Sequence, residues 1–298
     1  MPNLKGILPS RIWRARHDNA VWWWQQQRVK RAIERAFAAP VSLGLDREIV
    51  IEGGWPDAAD PRAIVFAACD ESYFHRFGQH LALSSAARSP STRVHLHLYT
   101  PSSACLAKVN AMVERCGGRL TVSHEGPARD PFGRPMSFYF AAGRFAVASR
   151  MRREIAAPIL MIDADGLVAS DLAAGFAELD LVEAGFILQP DNAALYRKVL
   201  ASAIYLGTAN RGNVEEFFTR LSDGIGLALR QCGHYHVDQI GIHYALRWCE
   251  SHRAGPSIAN LPLKWSDYRF AADSLIWSAK GARKGRYVEL LAEVERSF

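Results

Sequence analysis

The 298-residue chain contains no run of about 18 apolar residues, so no membrane span is expected. Its opening, Met1-Pro2-Asn3-Leu4-Lys5-Gly6, lacks the apolar stretch of a signal peptide, and the expected location is cytoplasmic. Cysteine is sparse. The five residues Cys69, Cys105, Cys116, Cys232 and Cys249 are scattered, odd in number and form no Cys-x-x-Cys pair. That argues against a disulfide framework or a zinc ribbon and leaves reduced, mostly buried thiols. There is neither an internal repeat nor a low-complexity tract. What remains is 49% hydrophobic and 22% charged, the balance of a core-forming protein of one large or two small domains.

The net charge is +6, much of it near the two ends: Arg11, Arg14, Arg16, Arg28, Lys30 and Arg31, then Lys280, Arg283, Lys284 and Arg286. A basic surface attracts nucleic acid, anionic membrane or anionic substrates, or is simply solvated. No recognition motif accompanies it, so no nucleic-acid partner is expected.

Residues 1–60 differ in pattern from residues 61–298, which sets the expected domain boundary. Trp22-Trp23-Trp24 precede a helical pattern in which Val29, Ile33 and Phe37 recur every four residues, with basic residues on the other face. Two readings stand. The arm over 11–37 lies on the inner face of an anionic membrane as a peripheral contact, or it packs its aromatic edge on the main domain. Glu48–Glu52 alternates as a short strand, broken by Gly53-Gly54-Trp55-Pro56.

Beyond residue 61 the pattern becomes strand–helix–strand. Ala63–Ala68, Val94–Tyr99, Leu120–Ser123 and Pro158–Ile162 read as strands, separated by helices near 73–87, 102–116 and 138–154. Strands at 184–189, 203–206 and 275–278 and helices at 214–229 and 237–248 follow. Such alternation predicts an α/β fold with a mixed, mainly parallel sheet flanked by helices, preceded by the N-terminal helical arm. Ligands of such sheets sit outside the carboxyl ends of the strands. Asp70 falls at one such end, and Asp163 and Asp165 at another.

Pro158-Ile159-Leu160-Met161-Ile162-Asp163-Ala164-Asp165 is the most informative segment: an apolar run entering two carboxylates one residue apart. Where the chain turns, both can lean toward one ion. Mg²⁺ and Mn²⁺ prefer oxygen ligands and keep water or substrate phosphate in their shell. A metal so held neutralises charge on a departing diphosphate. The same pattern also fits polar loop residues after a strand. It fits a phosphohydrolase too, with Asp163 as nucleophile and Asp165 as acid/base.

This segment resembles the strand and Asp-Ala-Asp element of the GT-A glycosyltransferases, especially glycosyltransferase family 8. Ile64–Tyr73 looks like that family's first strand and Asp-x-x-Tyr turn. The resemblance implies that Asp70 and Ser72 read the base of a UDP-sugar and that Tyr73 stacks on it. It implies a metal on Asp163 and Asp165, with Ala164 between them at the nucleotide-sugar, and a nucleotide-sugar contact by Arg144. Val237-Asp238-Gln239 resembles the family's Asp-Gln element. There Asp238 would orient sugar hydroxyls and Gln239 would face the anomeric carbon. Near the C-terminus, Gly281 and Lys284 match a His-x-x-Gly-x-x-Lys element that holds diphosphate, with Lys280 sharing that role. Ser278 stands where that element has its metal-binding His. Ala201-Ser202-Ala203-Ile204 replaces the family's Asn-Ala-Gly element, which opens the choice of donor sugar.

The resemblance spans about residues 62–284. It implies a GT-A-like, metal-dependent (Mn²⁺ or Mg²⁺) glycosyltransferase that uses a UDP-sugar and retains anomeric configuration. The acceptor is open: glycan, lipid-linked glycan, protein or small molecule. A binding protein that kept the fold and lost turnover is the other expectation. Cys232-Gly233-His234-Tyr235-His236 is spaced too closely for a zinc site and reads as pocket or core, with His236 a candidate for acceptor contact.

Overall fold

The computed structural model describes residues 10–39, 49–60, 62–126, 136–232 and 236–279, with 287, 289 and 291; residues 10–20 are described by their backbone. In chain order the elements are α1 (Ser10–Ala38), β1 (Ile51–Gly53), β2 (Ile64–Asp70), α2 (Glu71–Tyr73), a π-helical turn (Phe74–Gly78) and α3 (Gln79–Arg88). Next come β3 (Arg93–Tyr99), α4 (Ser103–Arg115), β4 (Leu120–Glu125), α5 (Met136–Glu154), β5 (Ile159–Ile162), β6 (Gly166–Val168) and α6 (Ala173–Glu178). The last are β7 (Ala184–Leu188), β8 (Val199–Leu206), α7 (Arg211–Gln231), α8 (Val237–His252), β9 (Ile258–Asn260) and β10 (Ile276–Ser278).

Among the described residues eight strands form one sheet in the order β1-β4-β3-β2-β5-β8-β7-β9. The β4-β3-β2-β5 block is parallel throughout, as is the β7–β9 pair. β1, β8 and β7 add antiparallel pairings. The strand–helix alternation of the sequence is the parallel block: each crossover carries a helix back to the start of the next strand. β9 and the short α6 carry no clear period in the sequence and are seen only in the fold.

The central strands are buried on both faces, which is why they read as unbroken apolar runs rather than as alternating ones. Side chains still divide by parity. Ile64, Phe66, Ile159 and Met161 enter one core with α5, α7 and α8. Val65, Ala67, Leu160 and Ile162 enter the other, with α3 and α4.

Helix α1 belongs to the first core. Val29, Ala32, Ile33, Ala36 and Phe37 are buried against α7 and α8, and Phe37 meets the Phe217 ring edge-on at 5.6 Å. Two glycines allow this approach. A Cβ on Gly224 would stand 2.7 Å from Ile33 Cδ1, and one on Gly241 3.4 Å from the same atom. The periodic face seen in the sequence is therefore the packing face. Trp23 and Trp24 remain exposed, with the Arg28 guanidinium 3.6 Å over the Trp24 ring. No helix among the described residues is long and apolar enough to cross a membrane. All five cysteines are buried and unbridged.

At the amino ends of β2 and β3, Asp60 is gripped by Arg62, which donates to it from Nε (3.0 and 3.1 Å) and Nη2 (2.7 Å), and by Arg93. The Arg62 hydrogen bonds hold the Asp60 carboxyl down at about 2 from 3.8, against the opposing effect of burial.

Two predictions follow from this packing. Ile33→Ala should lower the unfolding free energy by about 2–5 kcal/mol in a urea titration, because a buried aliphatic side chain is lost against two helices that cannot close the gap. Asp60 has a folded pKa below its unfolded value, so its stabilisation is complete above pH 3.8 and is lost as pH falls toward about 2. The melting temperature of the native chain should therefore drop more steeply across that interval than that of Asp60→Asn.

Candidate active site

The carboxyl ends of β2 and β5 open into a cavity of about 430 Å³. That is the size of a small-ligand pocket. Its walls come from four parts of the chain: Ala68–Asp70 with Tyr73, the N-terminal turns of α5 (Ser137, Phe140, Ala141, Arg144), the Asp163-Ala164-Asp165 turn with Ala201 and Ser202 of β8, and His236, Asp238 and Gln239 at the start of α8.

The acidic pair occupies a tight turn between β5 and β6, closed by the Gly166 amide donating to the Asp163 carbonyl at 3.0 Å. The antiparallel register Ile162↔Ala203 places Ser202 beside it. Ser202 Oγ is buried and has no hydrogen-bond partner among the described residues, although it borders the cavity. Sequence reasoning singled out this strand only for departing from a motif. The hydroxyl's place at the cavity wall depends on strand pairing.

Arg144 ties the mouth together. Its guanidinium is buried and donates to Asp163 Oδ1 (2.6 Å), Asp238 Oδ2 (3.2 Å) and the Ala141 carbonyl (3.1 Å). Burial alone would lower its pKa, but Asp163 and Asp238 outweigh it and raise it. Asp238 is pushed the other way: burial raises its carboxyl against the pull of Arg144 and the Gln239 amide, which donates to Asp238 Oδ1 at 2.8 Å. Arg144 thus stands between two carboxylates, so that its charge toward any bound anion is already partly balanced.

At the other wall, Asp70 caps α2: its Oδ1 accepts from the Tyr73 amide at 2.7 Å. The same turn presents the Tyr73 ring, 39% exposed, to the cavity. Ser72 is exposed and does not line it. His236 lines the cavity, stacked on Tyr196 with ring centroids 4.4 Å apart, and burial lowers its pKa. Gly233, His234 and Tyr235 lie outside the described residues.

The C-terminal segment reaches the acidic turn through a second, two-stranded sheet. β10 pairs with β6 in the register Ser278↔Gly166, and the Ala279 amide donates to the Asp165 carbonyl at 3.2 Å. Ser278 is buried, and its hydroxyl is hydrogen-bonded to that of Ser266 at 2.8 Å rather than lining the cavity. Lys280, Gly281 and Lys284 lie outside the described residues.

The donor set at the turn is oxygen only. Asp163 is 35% exposed and Asp165 borders the cavity. Among the described residues no third His, Cys, Asp or Glu stands close enough to the pair to complete a protein cage. Two carboxylates fit Mg²⁺ or Mn²⁺, which take few protein ligands and fill the shell with water and phosphate oxygen.

No protein-family model and no curated protein sequence matches this chain. Its structure is similar to several solved glycosyltransferases. One is the apo bifunctional glycosyltransferase WbbM, with a TM-score of 0.53 and 11% identity over 82% of this chain and 53% of that one. The chain thus spans about half of WbbM. Another is the galactosyltransferase LgtC in complex with donor and acceptor sugar analogs, with a TM-score of 0.51 and 16% identity over 78% of this chain and 95% of LgtC. An active-site variant of LgtC gives 0.51 and 14% over the same shares. At such identities the likeness is one of fold. The fold is that of the GT-A-like glycosyltransferases, with a mainly parallel mixed sheet between helical layers.

Removing the buried Arg144 leaves two carboxylates facing each other, one of them fully buried. Arg144→Met should therefore destabilise the protein by about 3–5 kcal/mol in chemical denaturation. A loss under 1 kcal/mol would show that solvent already screens the cluster.

Proposed function

We propose that this protein is a glycosyltransferase that takes a nucleoside-diphosphate sugar, UDP-linked, and transfers the sugar with the help of Mn²⁺ or Mg²⁺. The observation that carries this reading is the charge of the cavity. Among the described residues, four carboxylates (Asp70, Asp163, Asp165, Asp238) line it against one guanidinium that two of them already share. A diphosphate entering such a mouth needs a cation to bridge it to the wall.

In this reading Asp163 and Asp165 hold the ion, whose positive charge offsets that of the leaving diphosphate. Asp70 accepts from the base and Tyr73 stacks on it. Arg144 orients Asp163 and Asp238. Asp238 orients sugar hydroxyls, the Gln239 carbonyl oxygen faces the anomeric carbon, and Ser202 Oγ meets the donor sugar. Lys280, Gly281 and Lys284 contact the diphosphate; the bond from Ala279 to Asp165 supports this, since it brings the chain to the acidic turn one residue before Lys280. Transfer proceeds with retention: the acceptor hydroxyl approaches on the face the diphosphate leaves, and a diphosphate oxygen takes its proton. The acceptor enters past His236. Trp23 and Trp24, exposed beside Arg28, support a peripheral contact with an anionic surface at the inner face of a membrane.

The test is a panel of UDP-sugars assayed for metal-dependent hydrolysis, with a phosphate monoester in a parallel arm. UDP-sugar turnover that needs Mn²⁺ or Mg²⁺ is expected, and Asp165→Ala should lower it on the order of 10²-fold or more. Asp165→Ala is the cleaner variant, because Asp163→Ala also strips Arg144 of a partner. UDP binding without turnover points to a binding protein. Turnover of the monoester alone points to a phosphohydrolase.

A further inference from the structure

A second group of donor atoms lies beside the cavity, on the outer side of the turn that carries Tyr73. Glu71 opens α2, His75 lies one turn later in the π turn, and Cys105 comes from the first turn of α4. Each offers one ligand atom, and the carboxylate oxygen, imidazole nitrogen and thiol sulfur all lie within 4.8 Å of one another. Glu71 and His75 are half-buried at the surface and Cys105 is fully buried beneath them. No disulfide or cavity-wall role absorbs this cysteine.

Two of the three are tied to one residue behind them. Ser102, the N-cap of α4, donates its amide to Glu71 Oε2 (2.9 Å) and its hydroxyl to Glu71 Oε1 (3.0 Å), while its Oγ accepts from the Cys105 amide (3.1 Å). Such outer bonds fix the direction of ligating groups at metal sites. An exposed Glu71–His75 pair explains part of the arrangement, with Nε2 3.6 Å from Oε1. It does not explain a thiol converging on the same point.

We propose that Glu71, His75 and Cys105 form a binding site for a zinc-class divalent cation, with the fourth position open to water. Zinc bonds of about 2.0–2.3 Å place one sulfur and two lighter tetrahedral ligands about 3.3–3.5 Å apart, so the widest present spacing closes by about 1.5 Å at most, shared between two side chains. Sulfur and imidazole select Zn²⁺ or Co²⁺, whereas the oxygen-only pair Asp163 and Asp165 suits Mg²⁺ or Mn²⁺. The two sites therefore sort ions by ligand softness. An ion at Glu71 would cross-link α2 to α4 and so stiffen the turn that carries Asp70 and Tyr73 at the rim of the cavity.

Binding replaces the S–H bond of Cys105 by an S–metal bond and releases one proton to solvent.

The experiment is titration of the full chain with Co²⁺, followed by optical absorption. One equivalent is expected to give a sulfur-to-cobalt charge-transfer band and tetrahedral d–d bands, both erased by added Zn²⁺. Cys105→Ser should abolish the charge-transfer band, and His75→Ala, at a half-exposed position that keeps the fold, should weaken Co²⁺ at least about tenfold. Asp165→Ala should keep the band, which separates this site from the proposed nucleotide site. No band in the native chain overturns the proposal, and so does a band that survives Cys105→Ser or ignores His75→Ala.

Discussion

The buried guanidinium of Arg144, held between Asp163 and Asp238, is the interaction on which the cavity depends. It joins three elements that lie far apart in the sequence: α5, the turn after β5 and the start of α8. A buried charge is costly unless paired, and each partner here satisfies the other. Asp238 alone would be a buried carboxylate at the start of a helix, driven toward its neutral form. Asp163 alone would be a half-exposed turn residue. With Arg144 in place both are oriented, and the cavity wall gains its shape as well as its charge.

That arrangement has a chemical consequence. An Arg presented alone to a diphosphate would be a bidentate clamp. Engaged by two carboxylates, it acts first on the protein, leaving a cavity rich in carboxylate oxygen. Such a mouth is suited to a hard cation and, through it, to an anionic ligand. The hydroxyl of Ser278 is turned to Ser266 rather than to the acidic pair. In the proposed function, such an ion would rest on the oxygen atoms of Asp163 and Asp165, with water and ligand phosphate.

Much of the fold is legible in the sequence because parallel strands buried on both faces must be apolar throughout. Ile64–Ala68 and Ile159–Ile162 announce themselves by composition alone. The helices α4 and α5 are expected between the strands they connect. Other elements are not legible. β6 and β9 are three residues long and owe their conformation to partners. The π turn Phe74–Gly78 looks like ordinary helix in the sequence. For α1 the periodic apolar face is plain, yet what it faces is decided by Gly224 and Gly241, about two hundred residues away, where a missing Cβ makes room for Ile33.

By itself the sequence determined the parallel α/β block, the position of Asp70 and Asp163 at strand ends, and the order of the chemical groups along the chain. These follow from local periodicity and from the rule that a buried strand ends where polar residues begin. Only the tertiary structure decided that Arg144 binds carboxylates, that Ser202 borders the cavity, that Ser72 does not, and that Glu71, His75 and Cys105 converge. Each of these is a contact between segments far apart in the chain or a direction of a side chain. The physical reason is that packing and hydrogen-bond satisfaction set side-chain direction, and both depend on neighbours that one-dimensional spacing does not specify.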